Sequence, residues 1–262
     1  MLVDGKAIAA DIYQEIRNII SHTGERPHLT VFTCAPNFET QKYLNLKRKK
    51  AAEVGIATNV IEFPADITTE EVIASINHAT IQTDGVIVQL PFPAAVDTDR
   101  VLQVVPVSLD VDALRYVDAE HHTVLPPVVG AIDEIAQRYA VSLLGRNVVV
   151  VGQGRLVGKP AAKWATALGA NVTVIDKDTD APEVLFKEAD IIISGAGKAG
   201  LIKPEMVKDG VIIFDAGTSE EGGELRGDVD PSCADKARLF TPVPGGIGPI
   251  TVAVLLRNLV QH

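Results

Sequence analysis

Short apolar segments rich in β-branched residues alternate with helical patterns along almost all 262 residues, and this alternation is the strongest constraint on the fold. Continuous apolar strands separated by helices are typical of parallel sheets that helices cover on both faces. The pattern therefore predicts an α/β protein. The predicted strands are residues 28–34, 57–63, 85–90, 147–152, 171–175, 190–194 and 211–215. The predicted helices are residues 5–22, 40–54, 69–80, 128–140, 158–169 and 247–261.

The middle of the chain indicates a division into two α/β domains with a cleft between them. Residues 106–127 have prolines at both ends and weak periodicity, and a new βαβ pattern follows them. We therefore assign residues 1–119 to an N-terminal catalytic domain and residues 120–243 to a C-terminal Rossmann-like domain. Residues 244–262 form a loop and a last helix that we expect to return to the N-terminal domain.

Composition excludes several classes of function. The 24 basic and 34 acidic residues give a net charge of −10, which argues against a nucleic-acid partner because phosphate binding needs a basic face. No run of 18 apolar residues and no signal-peptide pattern is present, so we expect no membrane partner. Cys34 and Cys233 lack the spacing of metal ligands, so we expect reduced thiols, no metal site and a cytoplasmic location.

A glycine-rich loop follows the apolar strand at residues 147–152. Gly152, Gly154 and Gly158 permit a tight turn and the close approach of a phosphate to the backbone. Asp176 ends the next strand, where a carboxylate would bind the ribose hydroxyls of a dinucleotide. This context favours dinucleotide binding. The alternative is a plain strand–turn–helix connection in which Asp176 is a solvated turn residue.

Four polar side chains in the first half of the chain are candidates for a second site. Tyr43 and Lys47 are four residues apart on a predicted helix and therefore share one face. Gln89 follows an apolar strand, and Asp112 lies near the start of the connecting stretch. Polar groups just after buried strands are typical of ligand sites in α/β proteins. The alternatives are a solvated helix face, a hydrogen-bonded strand-end amide and a turn residue.

Five segments in collinear order resemble the bifunctional methylenetetrahydrofolate dehydrogenase/methenyltetrahydrofolate cyclohydrolase family. They are Y-x-x-x-K (43–47), DGVIVQLPFP (84–93), LVGKP (156–160), GDVD (227–230) and TPVPGGIGPITVAVLLRN (241–258). The resemblance implies a catalytic domain, a Rossmann-like domain, a folate site in the cleft and a homodimer formed through the Rossmann-like domains. It also implies oxidation of 5,10-methylenetetrahydrofolate with a nicotinamide cofactor, followed by hydrolysis of the methenyl product to 10-formyltetrahydrofolate.

The resemblance also implies roles for particular residues. Lys47 corresponds to the catalytic lysine, and Tyr43 lines the folate site. Gln89 hydrogen-bonds that lysine, and Asp112 anchors the pterin ring. The positions implied to contact the cofactor are Gly152, Gln153, Gly154, Lys177 and Thr218. The positions implied to lie beside the folate are Pro244 and Gly245.

One departure from the family pattern bears on the choice between NAD and NADP. The family usually has G-R-S where this chain has Gly152-Gln153-Gly154, and the missing arginine and serine suit a 2′-phosphate. Asp176 suits ribose hydroxyls instead, so we expect NAD to be favoured. Two other functions remain open: another two-domain NAD(P)-dependent dehydrogenase, such as one for a small hydroxy or amino acid, and a nucleotide-binding regulatory protein without catalysis.

Overall fold

The computed structural model describes residues 1–118, 122–179 and 182–261, so the predicted domain boundary at residues 119 and 120 lies outside the described residues. The strands are β1 (His28–Cys34), β2 (Ala57–Phe63), β3 (Gly85–Val88), β4 (Asn147–Val151), β5 (Asn171–Ile175), β6 (Ile191–Ser194), β7 (Ile212–Asp215), β8 (Ser219–Glu221), β9 (Glu224–Arg226) and β10 (Leu239–Phe240). The helices are α1 (Gly5–Thr23), α2 (Phe38–Glu53), α3 (Thr69–Ala79), α4 (Thr98–Gln103), α5 (Pro127–Arg138), α6 (Gly158–Ala167), α7 (Pro182–Glu188) and α8 (Ile247–Val260).

The chain forms two compact units, named here by their main sheets. The three-stranded unit consists of residues 10–127 and 252–262, and the five-stranded unit of residues 1–9 and 128–251. The first nine residues therefore group with the second half of the chain, whereas the sequence division placed them in the first domain. The reason is a long-range pairing: Val3 N donates to Phe240 O at 3.0 Å, and Phe240 N donates to Met1 O at 2.9 Å.

The three-stranded unit has a parallel sheet in the order β2-β1-β3. Asn37 caps the start of α2, because its side chain accepts a hydrogen bond from Thr40 N at 2.8 Å. A side chain at Gly85 in β3 would overlap Val111 and Leu259, so close packing requires glycine there. This unit therefore fixes α2 and the end of β3, the two elements that carry the candidate site.

The five-stranded unit has a parallel sheet in the order β10-β7-β6-β4-β5, with β8 and β9 as a separate antiparallel ribbon. Strands β6 and β7 are fully buried, as continuous apolar strands in such sheets are. Strand β5 is at the sheet edge and only its last residue is fully buried. The parallel sheets and helices confirm the predicted α/β class.

The strand predicted at residues 85–90 ends two residues early, at Val88. Pro91 has no N–H group to donate to a neighbouring strand, and the Leu90–Pro91 peptide is cis. Gln89 nevertheless keeps one backbone bond to the sheet, since Gln89 N donates to Phe32 O at 2.8 Å.

Candidate active site

The buried amine of Lys47 is the centre of the site in the three-stranded unit. Lys47 is only 5% exposed, and its Nζ donates to Gln89 Oε1 at 3.0 Å. The same Nζ lies 3.9 Å from Asp112 Oδ2 and 4.8 Å from the centroid of the Tyr43 ring. The structure therefore brings together the four side chains that the sequence singled out in this half of the chain.

The backbone around Gln89 and Asp112 explains how these two side chains are positioned. Gln89 Nε2 donates to Leu90 O at 3.2 Å, which turns the amide so that its oxygen faces Lys47. The turn that carries Asp112 is held by Asp110, whose carboxylate accepts hydrogen bonds at 3.3 Å from two backbone N–H groups further along the turn. Of the two neighbouring aspartates, one therefore builds the turn and the other faces the lysine.

Burial controls the protonation of this cluster. It lowers the pKa of Lys47, and the charge of Asp112 partly opposes this effect. Burial and the same carboxylate raise the pKa of Tyr43, so its hydroxyl stays protonated. Burial and Asp112 also raise the pKa of Asp110 to about 6. A lowered pKa makes the neutral form of a lysine, which can accept a proton and later return it, more accessible.

Tyr13 is a neighbour of the site that the sequence analysis missed. Its pKa is raised to about 12 by burial and by Glu53, and it also contributes to the raised pKa of Tyr43. Lys50 Nζ lies 5.4 Å from the centroid of the Tyr13 ring and bonds Glu53 at 2.7 Å. The basic residues at positions 47–50 of α2 therefore differ in environment, because Lys47 is buried while Lys50 is paired with Glu53. Tyr13 lies on α1, and no sequence spacing connects it to α2.

The glycine loop of the five-stranded unit is tightly turned at the carboxyl end of β4 and has an open position at Gly154. Gly152 has a positive φ of 94°, and a Cβ there would lie 2.9 Å from Gly195 O. A Cβ at Gly158 would overlap the backbone of Gly152, whereas one at Gly154 would meet nothing within 4 Å. Among the described residues, no side chain caps the start of α6, which leaves its N-terminus available to an anion. The loop thus fits a dinucleotide.

Asp176 lies just after β5 and is bound to Gln153 in the glycine loop. Gln153 Nε2 donates to Asp176 Oδ2 at 2.7 Å, while Asp178 N and Thr179 Oγ1 donate to Oδ1 at 3.0 and 3.1 Å. These bonds and the nearby charge of Lys177 lower the pKa of Asp176, so its carboxylate is charged at neutral pH.

The remaining predicted positions all lie in the five-stranded unit. Lys177 and Thr218 are exposed and follow the carboxyl ends of β5 and β7. Pro244 and Gly245 belong to the loop before α8, where Gly245 O accepts a hydrogen bond from Gly5 N at 3.0 Å. The structure therefore groups the predicted residues in two sets, one in each compact unit.

Two buried carboxylates of the five-stranded unit, Asp215 and Asp228, were not among the predicted site residues. They are 1% and 0% exposed and bind the loops that follow β6 and β7. The signal available in the sequence was a glycine near each aspartate. A Cβ at Gly217 would overlap the carboxylate of Asp228, and a Cβ at Gly227 would overlap that of Asp215.

Neither a membrane-spanning helix nor a metal-binding cluster occurs among the described residues. None of the helices in the described ranges is both long and apolar enough to span a bilayer. Among the same residues, no group of three or more histidine, cysteine, aspartate or glutamate side chains is arranged to hold a metal ion.

Comparisons with known proteins match the whole chain. The family description "Tetrahydrofolate dehydrogenase/cyclohydrolase, catalytic domain" matches residues 3–112, and the corresponding "NAD(P)-binding domain" matches residues 126–262. "Bifunctional protein FolD" of Lactobacillus acidophilus is 34% identical over 99% of this chain and 96% of its own length.

Solved structures give the same result. The bifunctional enzyme FolD, methylenetetrahydrofolate dehydrogenase/cyclohydrolase, from Campylobacter jejuni has a TM-score of 0.93 and 33% identity, and the match covers 100% of this chain and 97% of that one. The Trypanosoma brucei enzyme in complex with NADP and an inhibitor has a TM-score of 0.91 and 31% identity, covering 99% and 95%. With both family domains matched in order and the lysine cluster in the first of them, the chain belongs to the tetrahydrofolate dehydrogenase/cyclohydrolase family.

Proposed function

We propose that this protein oxidises 5,10-methylenetetrahydrofolate to 5,10-methenyltetrahydrofolate with a nicotinamide cofactor and then hydrolyses the product to 10-formyltetrahydrofolate. The protein is a methylenetetrahydrofolate dehydrogenase and methenyltetrahydrofolate cyclohydrolase of folate one-carbon metabolism, as its membership of the family implies. The observation that carries the assignment of roles is the buried Lys47 amine, bonded to Gln89 beside Asp112 and Tyr43.

The hydrolytic step needs one group that first accepts and then donates a proton. Water that attacks the methenyl bridge must lose a proton, and the ring nitrogen must gain one before the ring opens. Lys47 is suited to both transfers because burial lowers its pKa and Gln89 holds its amine in place. Lys47 is therefore the proposed catalytic residue of the cyclohydrolase.

Asp112 and Tyr43 are the proposed contacts of the folate. A pterin ring presents an amino group and ring N–H donors side by side, and a carboxylate accepts two such bonds at once. Asp112 is partly exposed, so its oxygens can be reached, and Tyr43 as a whole residue is 36% exposed. Both neighbours of Lys47 can thus hold the substrate beside the amine. Pro244 and Gly245 are proposed to lie beside the bound folate.

The glycine loop and the strand ends of the five-stranded unit are the proposed cofactor site. Gly152 and Gly154 would approach the pyrophosphate, while Asp176 would accept hydrogen bonds from ribose hydroxyls. Gln153, Lys177 and Thr218 complete the proposed contacts. The nicotinamide group supplies the hydride acceptor when it is bound, and the protein's task in the oxidation is to orient the folate toward it.

The oxidation and hydrolysis can be tested together on the purified protein. We would mix it with methylenetetrahydrofolate and either NAD or NADP and follow the absorbance of the reduced cofactor and of the methenyl product. Appearance and subsequent decay of the methenyl product supports both activities. A dehydrogenase for a small hydroxy or amino acid would show no turnover with this substrate, and a regulatory protein would bind nucleotide without turnover.

We expect the Michaelis constant for NAD to be lower than that for NADP. Asp176 is charged and Gln153 brings no positive charge, so a 2′-phosphate would be repelled, and we expect up to about tenfold weaker affinity for NADP at this solvent-screened site. Steady-state kinetics with each cofactor measures this ratio. Asp176→Asn should bring the two Michaelis constants closer together. Asp178→Asn, which changes an exposed neighbouring residue, should leave their ratio unchanged. A lower constant for NADP in the unmodified protein would refute the preference.

The protein is further proposed to be a cytoplasmic homodimer that pairs through the exposed edge of the five-stranded sheet. Within the described part of the chain, the outer edge of strand β5 pairs with no other strand, and Val174 on it is 37% exposed. Leu144 and Leu168, beside the start of this strand, are 74% and 44% exposed. Exposed apolar edge strands are templates for pairing with another chain. The cytoplasmic location is supported by two free, buried cysteines, Cys34 and Cys233.

A charge on this edge should separate the two copies. Val174→Lys would put an ammonium group into the apolar contact, so we expect light scattering to give the single-chain mass of 27.9 kDa instead of twice that value. Val184→Lys, at an exposed apolar position on α7, is the control and should remain dimeric. A dimeric Val174→Lys protein, or a monomeric unmodified protein, would contradict this interface.

A further inference from the structure

The buried carboxylate of Asp228 binds one loop of the proposed cofactor site directly. Asp228 is 0% exposed. Its Oδ2 accepts hydrogen bonds from Ser194 Oγ and Ala196 N, both at 2.7 Å, and its Oδ1 accepts one from Lys198 N at 2.7 Å. These donors span the loop that follows β6. Charge-assisted hydrogen bonds of this length are strong, so the shape of this loop depends on one side chain.

Asp215 at the end of β7 holds the segment that carries Asp228. Its Oδ1 accepts from Gly217 N at 3.0 Å and from Asp228 N at 3.2 Å, and its Oδ2 accepts from Val229 N at 2.9 Å. The two aspartates thus form a chain that joins the loops after β6 and β7 to residues 227–229. Burial raises the pKa of Asp215 to about 7, with the charge of Asp228 acting in the same direction.

The carboxylates of Asp215 and Asp228 are packed closely against the backbone around them. A Cβ at Gly217 would overlap the carboxylate of Asp228, and a Cβ at Gly227 would overlap that of Asp215. Each carboxylate therefore lies directly against the backbone of the other segment. A side chain of different length or hydrogen-bonding pattern at either aspartate must displace the backbone of one loop.

We propose that Asp228 is a positioning residue for the nicotinamide dinucleotide, because it holds the loop at residues 194–198 in the shape that binds the cofactor. This proposal rests on the proposed function. Carboxyl ends of parallel strands are where dinucleotides bind, and β6 lies between β4, which leads to the glycine loop, and β7. The carboxylate has donors on both oxygens from the protein itself, so it acts by shaping the loop.

The amide variant Asp228→Asn tests the role of the charge at nearly constant volume. Whichever way the amide is turned, its NH2 group faces a backbone N–H, of Lys198 or of Ala196, and one loop bond is lost. We expect the dissociation constant for NAD, measured by calorimetry, to rise about tenfold or more. The cyclohydrolase kcat and KM should stay unchanged, because the Lys47 cluster belongs to the other compact unit and that step uses no cofactor.

Asp230→Asn is the matched control from the same segment. Within the described residues, the Asp230 side chain accepts hydrogen bonds only from Ser232, which lies in the same turn. This variant should therefore bind NAD like the unmodified protein. An unchanged NAD dissociation constant in Asp228→Asn would overturn the proposal, and so would an equal loss of NAD binding and cyclohydrolase activity. Failure of the unmodified protein to bind NAD or to turn over folate would instead overturn the proposed function.

A second variant keeps the test decisive if Asp228→Asn does not fold. Ser194→Ala removes one of the donors to Asp228 and leaves the carboxylate in place. We expect a rise of about two- to fivefold in the NAD dissociation constant, with cyclohydrolase activity unchanged, since one hydrogen bond of the loop is lost. No rise in the folded Ser194→Ala protein would then overturn the positioning role.

Discussion

Lys47→Met is expected to reduce the cyclohydrolase rate by at least about 100-fold, because the proposed acid–base group is removed. Methionine has a similar length and suits the buried site, where Lys47 is 5% exposed. Dehydrogenase activity should fall less, since hydride transfer requires no proton from the enzyme and only substrate positioning is affected. Decay of added methenyltetrahydrofolate and formation of reduced cofactor, assayed separately, measure the two effects.

Substitution of Lys47 by arginine distinguishes a role in proton transfer from a role of positive charge alone. Lys47→Arg keeps a cation beside Asp112, but a guanidinium does not release its proton at neutral pH, so cyclohydrolase activity should not be rescued. Lys49→Met is the matched control, because Lys49 lies on the exposed face of the same helix. Retained methenyl hydrolysis in the methionine or the arginine variant would assign the proton transfers to another group.

The local pattern predicted most of the regular structure because continuous apolar strands and amphipathic helices leave a signal in the local sequence. The predicted strands at residues 28–34, 57–63 and 171–175 have the observed bounds. Several elements were missed, among them α4, the β8–β9 ribbon and β10, which have two to six residues and no continuous apolar run. Such short segments carry too few residues to show a period. The Asp97 cap of α4 was a usable signal, since its side chain accepts from Arg100 N.

Contacts between distant parts of the chain could not be read from spacing. The pairing of Leu2 with Phe240 in β10 joins residues more than 200 positions apart, and no local pattern encodes it. Lys47 and Gln89 are 42 residues apart, so the sequence indicated one polar position on a helix face and another after a strand but not their hydrogen bond. That bond was implied only by the family resemblance. Even with the resemblance, spacing alone could not show that Asp110 builds the turn while Asp112 faces the amine.

The hydrogen-bond network around Asp228 could not be predicted from the sequence for a different reason. Asp228 lies between a glycine and a valine in the sequence, and such an aspartate is expected in an exposed turn because acidic side chains are rarely fully buried. Its burial is possible only because Ser194 and the backbone of the following loop supply the hydrogen bonds that water would otherwise provide. Those donors lie 30 to 34 residues earlier in the chain. Buried polar networks of this kind become visible only when the fold has been assembled.

Asp112→Asn is expected to weaken the binding of folate substrates by roughly 2–4 kcal/mol, because a buried donor left unpaired is costly and charge-assisted bonds are strong. The amide keeps the shape of the carboxylate but replaces one acceptor with a donor, so an N–H group of the pterin ring would face another N–H group. NAD binding should barely change, because the proposed cofactor residues belong to the other compact unit.

The matched control for this change is Asp118→Asn, since Asp118 is an exposed acid in the same stretch of chain and no candidate role is assigned to it. Calorimetric titration with a folate and with NAD measures both affinities on the same preparation. Asp112 also raises the pKa of Lys47, so its removal should shift the rise of cyclohydrolase activity to lower pH. Intact folate binding in Asp112→Asn would mean that Asp112 belongs to the turn alone, and the pterin would then need another anchor.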